Sequence, residues 1–249
     1  MTTDKNLFLR PMTECSLHIN PELEIVFVKK GSVLVNVGSY EFTVSANEFT
    51  IIQPYRIHSF KPSENTDATV YMFPNSMVSE FYSLCKNMEA TTTVFSLDKV
   101  TVDYILLATE KYLAESGIYY AKSILNTFLA EFTRDNSFIQ MSFDASNLNR
   151  IVEYIYFNVS GNITLKDIST EFNIKESQLN RLLMSYTGLG FKEFVNAIRI
   201  EKAIVLLSRI DMNITEIAFE SGYDNIRTFN RAFLKMTGLT PSQYRKQLM

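Results

Sequence analysis

The chain has 249 residues, 46% hydrophobic and 20% charged, a globular composition with room for one large domain or two ordinary ones. Its net charge of −3 argues mildly against a nucleic-acid partner until it is divided: residues 146–249 hold 13 Lys+Arg against 10 Asp+Glu, whereas residues 1–145 hold 11 against 17. No apolar run approaches the roughly 20 residues of a membrane span, the opening MTTDKNLFLRP lacks a signal-peptide core, and Cys15 and Cys85 have no metal-binding spacing. A cytoplasmic protein with reduced thiols is expected.

Residues 1–10 read as a loose segment, or one draped over the first domain. From Leu17 to Phe73 the pattern is strand. Leu23–Lys29 (LEIVFVK) is β-branched and aromatic, and Ser32–Val37 alternates with Val33, Val35 and Val37 on one face. Glu41–Val44, Phe49–Gln53 and Val70–Phe73 continue the series. Turn signals separate them at Lys30-Gly31, Gly38-Ser39, Ala46-Asn47, Pro54 and Pro62-Ser63-Glu64-Asn65. Strands of this length and spacing predict a small barrel or sandwich. After Pro74 the period changes. Asn75–Cys85 reads as a short helix, and Asp98–Ala114 and Tyr119–Phe132 carry helical spacing through Val102, Ile105, Leu106, Ile124, Leu125, Phe128 and Leu129. Those apolar faces would cover the barrel or pair with the same helix of a second subunit. Thr133–Asn147 is polar and without period, so it reads as a linker.

From Leu148 onward every segment reads as helix. Thr164 caps a short helix reaching Phe172, Glu176–Thr187 ends at Gly188, and Phe191–Leu207 is one long helix. Asn213 and Glu216 form a capping-box pattern before Ile214–Ser221. Gly222 closes that helix, and Asp224 or Asn225 caps the next. There Phe229, Ala232, Phe233 and Met236 share one face, with Arg227, Thr228, Asn230, Arg231 and Lys235 opposite. Gly238 ends it, and Thr240-Pro241-Ser242-Gln243 starts a last short helix. Such a face is either simply solvated or a major-groove reader.

A repeat separates the two readings. TLKDISTEFNIKESQLNRLLMSYTG (164–188) parallels NITEIAFESGYDNIRTFNRAFLKMTG (213–238), matching Leu165, Ile168, Ile174, Leu179 and Leu183 with Ile214, Ile217, Tyr223, Phe229 and Phe233, and Arg181 with Arg231. Each copy is a helix-turn-helix, and residues 191–207 join them. A plain helical bundle has no reason to keep an arginine beside its core position twice. Two units on one rigid helix suit successive major grooves about 34 Å apart.

The residues Ile217-Ala218, Gly222-Tyr223, Phe229, Arg231, Phe233, Lys235, Gly238, Thr240-Pro241 and Tyr244-Arg245 resemble the DNA-binding domain of the AraC/XylS transcription regulators. So do Leu165, Ile168, Leu179, Arg181, Gly188, Phe191, Arg199, Ala203 and Leu206-Leu207 in the first copy. More weakly, Glu24, Gly31, Pro54 and His58 resemble the family's cupin-like sensor domain. The resemblance implies an α+β chain of two domains. The first, 1–133, would be a cupin-like β-barrel for sensing and dimerisation, with helices at 98–132. The second, 148–249, would be an all-α domain of two helix-turn-helix units joined by a long helix, after a linker at 134–147. It implies DNA contacts from Ser177, Gln178, Asn180 and Arg181 and from Ile226, Arg227, Thr228, Asn230 and Arg231, with Leu179, Leu183, Phe229 and Phe233 as core. It further implies a transcriptional activator that contacts RNA polymerase, dimerises through its N-terminal domain and answers to a small-molecule effector or a protein partner. There are departures: Lys175-Glu176 stands where the family usually has a serine cap and proline, Leu182, Leu183 and Met184 replace an aromatic and basic run, and Leu234 replaces a common lysine. The first unit is therefore expected to read DNA less specifically than the second.

The chain has only two histidines, His18 and His58, both in the barrel region. His18-Ile19-Asn20, Glu24 and Gly31 have the spacing of a metal-cupin first motif, with Asn20 in place of its second histidine. Two histidines and a glutamate form a facial triad in metal enzymes, but sensor domains keep this spacing without metal. No metal, cofactor or catalysis is therefore expected, and a metal-dependent cupin enzyme is the alternative. The barrel aromatics Phe27, Phe42, Phe49, Tyr55, Tyr71 and Phe73, with Ile51 and His58, either line an effector pocket or fill the core. Phe27, Phe42, Tyr55, His58 and Tyr71 are the candidate ligand residues. No nucleophile–base pair or phosphate loop stands out.

Overall fold

The computed structural model describes residues 7–38, 40–85, 88–134, 138–140, 143–208 and 211–248. Strands come first: β1 (Phe8–Pro11), β2 (Cys15–Ile19), β3 (Leu23–Lys30), β4 (Ser32–Val37), β5 (Tyr40–Ser45), β6 (Glu48–Ile52), β7 (Ile57–Pro62) and β8 (Asp67–Phe73). Then follow α1 (Asn75–Cys85), β9 (Met88–Ala90), β10 (Phe95–Ser96), α2 (Lys99–Glu115), α3 (Ile118–Arg134) and β11 (Phe138–Gln140). The strands form a sheet ordered β1-β8-β3-β6-β10 and a second ordered β2-β7-β4-β5, antiparallel throughout.

Alternation along the strands divides the interior in two. Val26 and Val28 of β3 and Val70 of β8 join Val33, Val35, Val44, Ile52 and Phe60 in one apolar core. The odd-numbered neighbours Ile25, Phe27, Tyr71 and Phe73, with Phe49, turn the other way and pack on Ile105, Ile124, Leu125 and Phe128 of α2 and α3. Covered on both faces, β3 is buried from Leu23 through Val28, and this is why LEIVFV reads as a continuous apolar run broken only by Glu24.

The structure adds detail to two sequence expectations. Residues 8–11 form β1, which pairs with β8, Leu9 opposite Tyr71, while residues 1–6 lie outside the described residues. Within the expected linker at 134–147, β11 pairs with β9 and the next helix begins at Phe143. Three-residue strands have no readable period; partners distant in sequence create them.

The chain divides into two compact units, Met1–Phe143 and Asp144–Met249. Helices α4 (Phe143–Asn158), α5 (Leu165–Glu171), α6 (Glu176–Thr187), α7 (Phe191–Leu207), α8 (Ile214–Glu220), α9 (Ile226–Thr237) and α10 (Pro241–Leu248) follow β11. The repeat is visible in the caps. Thr164 with Asp167, and Asn213 with Glu216, make capping boxes at α5 and α8. Gly188 (φ 69°) and Gly238 (φ 73°) close α6 and α9 in the left-handed region. Just before each glycine, Thr187 and Thr237 donate to the carbonyls of Leu183 and Phe233 and accept from the backbone of Leu189 and Leu239.

Gly222 has a second role besides closing α8. At φ 96°, a Cβ there would stand 2.3 Å from the Val159 carbonyl oxygen and 2.9 Å from Arg199 Nε. Arg199, on α7, donates to the carbonyls of Val159 and Gly161 at 3.0 Å each and lies 5.6 Å from the Tyr223 ring. One arginine thus caps the end of α4 and backs the second helix-turn-helix.

Candidate functional site

Helix α9 presents a charged face because of how it is capped and packed. Asn225 accepts from the backbone N–H groups of Arg227 (2.7 Å) and Thr228 (3.2 Å), starting the helix from outside it. Phe229 and Phe233 are fully buried against Ile217, Ala218 and Tyr223, which turns Arg227, Thr228, Asn230, Arg231 and Lys235 outward. Among the described residues no hydrogen bond or ion pair holds the guanidinium of Arg227 or Arg231. Ile226, also an expected contact, is half-buried and packs on the same core.

The matching face of α6 is poorer. Lys175 at its N-cap makes no side-chain cap. Ser177, Gln178, Asn180 and Arg181 are exposed, as expected. Asn180 is nevertheless engaged, since its Oδ1 accepts from the Phe191 N–H at 3.1 Å and so caps α7. An open groove beside α6 is lined by Ser177, Asn180, Lys192 and Asn196, with Glu176 and Glu193 of opposite charge on its wall.

In the N-terminal unit the candidate ligand residues do not converge. Phe27 packs on Phe128, and Tyr71 shares a 3.1 Å hydrogen bond with Thr109, so both, with Phe49, Ile51 and Phe73, belong to the sheet–helix core and not to the space between the sheets. Alternation along β3 and β8 decides this, and the sequence alone does not say which parity faces which layer. Phe42 lies on the inter-sheet side. Tyr55 is buried at φ 61°, its hydroxyl accepting from Asn75 at 3.2 Å.

His58 belongs to a different group. His18 (β2), Glu24 (β3) and His58 (β7) are all buried, with one N or O atom of each within 4.8 Å of the others. His18 and His58 face each other across the β2–β7 pair, ring centroids 4.1 Å apart. His58 Nδ1 donates to the Arg56 carbonyl at 2.8 Å, and its Nε2 lies 3.0 Å from Glu24 Oε2. The Asn20 amide donates to Glu24 Oε1, and Arg10 approaches Oε2 to 3.8 Å. Burial alone would raise the Glu24 pKa, but the charge and hydrogen bond of His58, then Arg10 and His18, outweigh it and hold the carboxyl at about 2. Cys15 Sγ is 3.4 Å from His18 Nδ1. Arg10 and Cys15 carry no sequence signal for this cluster; the pairings of β1 and β2 bring them in.

Two family models match the chain. Residues 168–247 match one described as a helix-turn-helix domain, and residues 10–78 match an AraC-like ligand binding domain. An uncharacterised HTH-type transcriptional regulator of Staphylococcus aureus is 34% identical over 98 residues, 39% of this chain, and the chain spans 13% of that relative's length. An uncharacterised HTH-type regulator of Bacillus subtilis, YdeC, is 21% identical over 92% of this chain and 86% of its own. Among solved structures, apo ToxT of Vibrio cholerae superposes with a TM-score of 0.68 at 18% identity, over 98% of this chain and 97% of that one. ToxT bound to (E)-4-(8-methylnaphthalen-1-yl)but-3-enoic acid gives 0.64 at 16% identity, over 98% of each chain. At such identities the likeness speaks for the fold: a β-rich cupin-like domain followed by a helical helix-turn-helix domain. Among the described residues no helix is long and apolar enough to cross a membrane.

Proposed function

Because this chain belongs to the AraC/XylS family of transcription regulators, we propose that it binds double-stranded DNA sequence-specifically and controls transcription, acting in the cytoplasm as an activator. The observation that carries this reading is the outward face of α9. Two arginines with no partner among the described residues, and Thr228 and Asn230 between them, stand on a helix stiffened by Asn225 at one end and Gly238 at the other. Arginine forks suit guanine edges and phosphates, while asparagine and threonine suit adenine and thymine edges. Helices α6 and α9 enter successive major grooves, with α7 holding them apart. Arg231, Arg227, Asn230 and Thr228 read bases or adjacent phosphates, Ser177, Gln178 and Arg181 contact the first groove, and Ile226 packs beside the backbone.

The N-terminal unit is the sensing and dimerising part. A small effector or a protein partner changes its state, which alters how the DNA-binding unit engages a promoter and RNA polymerase. That ToxT has been seen bound to a small organic acid supports a small organic ligand for this chain. Chromatin immunoprecipitation of the full chain in its host, followed by binding titrations on the recovered fragments, tests the proposal. Sites sharing a motif spread over two consecutive major grooves are expected. Binding that is indifferent to sequence would end the reading.

A further inference from the structure

The geometry points to a binding site for one divalent first-row transition-metal ion between the sheets of the N-terminal unit, held by His18, Glu24 and His58. Strands β2 and β7 of one sheet and β3 of the other deliver two imidazoles and one carboxylate to a single buried point. Donor atoms about 2.1 Å from one ion stand roughly 3–3.5 Å apart, and the 3.0 Å between His58 Nε2 and Glu24 Oε2 already has that span.

The orientation of His58 is the sharper observation. Its Nδ1 faces a backbone carbonyl at 2.8 Å, which only an N–H satisfies. In the neutral ring Nε2 then carries a lone pair, aimed at a carboxylate oxygen. Two acceptors face each other there unless a cation joins them, and the candidates are a proton and a metal ion. A backbone carbonyl on the far nitrogen is also how metal-ligating histidines are oriented. Asn20 does the same for Glu24, occupying Oε1 and leaving Oε2 to His58 at 3.0 Å, with Arg10 farther off at 3.8 Å. Imidazole with carboxylate suits zinc, iron(II), manganese or nickel better than calcium or magnesium. Three protein ligands leave at least one coordination position for water or a small ligand. This inference is independent of the DNA-binding reading.

The test uses the full chain without a histidine tag, stripped of metal and titrated with Zn2+ and, separately, Co2+. One equivalent is expected to bind. Because His18 and His58 are the only histidines of the chain, an X-ray absorption shell containing two imidazoles identifies the site in the wild-type protein without any variant. His58→Ala and Glu24→Gln are expected to weaken binding by about 100-fold or more. If these variants fail to fold, the wild-type shell decides. Binding well below one equivalent, or a bound ion whose shell lacks imidazole, would overturn the proposal and leave a proton as the cation between His58 and Glu24. Operator binding by a metal-free protein leaves the DNA reading intact in either case.

Discussion

Arg231 and Arg181 occupy the same position of the two repeat units, and their surroundings set their weights. Arg231 stands with Arg227 and Lys235 on one exposed face, whereas Arg181 is the only arginine of α6. Arg231→Ala is therefore expected to weaken operator binding by about 1–3 kcal/mol in fluorescence-anisotropy titrations, and Arg181→Ala by less. Equal losses would refute the ranking of the two units. The outward face of α9 was legible from spacing alone, since Phe229 and Phe233 leave the arginines only one way to point. The engagement of Asn180 with α7 was not, because a cap eleven residues away has no signature in local pattern. Nor did sequence sort the barrel aromatics: Phe27 and Val26 are equally apolar, and only the placement of α2 and α3 decides which faces a helix.

At the scale of elements, the glycines and caps separate local strain from tertiary fit. Gly222 and Gly238 both have positive φ, yet a Cβ at Gly238 meets nothing within 4 Å while one at Gly222 runs into the Val159 carbonyl. Gly238→Ala should cost about 1–2 kcal/mol from backbone conformation alone. Gly222→Ala should cost about 3 kcal/mol or more, since crowding adds to strain. Thermal or denaturant unfolding of the two variants checks the difference. The uncapped start of α6 predicts the opposite sign: Lys175→Ser should stabilise the C-terminal unit by roughly 0.5–1 kcal/mol, read as a raised Tm. Element types came through well from sequence because helix periods are long and the caps Thr164 and Asn213 are strong signals. The strands β1, β2, β7, β9, β10 and β11 did not, because pairing across long sequence separations makes them.

At the scale of the whole molecule, α2 carries Val100, Tyr104 and Leu107 on one side, 78%, 47% and 55% exposed, beside the face of Ile105, Ala108 and Tyr112 that packs on the sheet. An apolar stripe of this kind suits the same helix of a second subunit. Sedimentation velocity should find a dimer, and Tyr104→Glu with Leu107→Glu should shift it to monomer; an unchanged dimer would place the interface elsewhere. The excess of positive charge in residues 146–249 was the one global property that sequence gave outright, because net charge needs no fold.

The shared use of Asn180 bears on how such a regulator acquires new target genes. On α6 a change at position 180 alters the exposed face and releases the start of α7 together, so drift in that unit's preference is coupled to loss of stability. On α9 the cap, Asn225, lies outside the helix, and Thr228, Asn230 and Arg231 are free to vary without that penalty. New operator preferences should therefore arise first through the second unit, with the first kept as a steadier anchor. A selection from libraries randomised at both faces would record this as a wider spectrum of survivors at 227–231 than at 177–181.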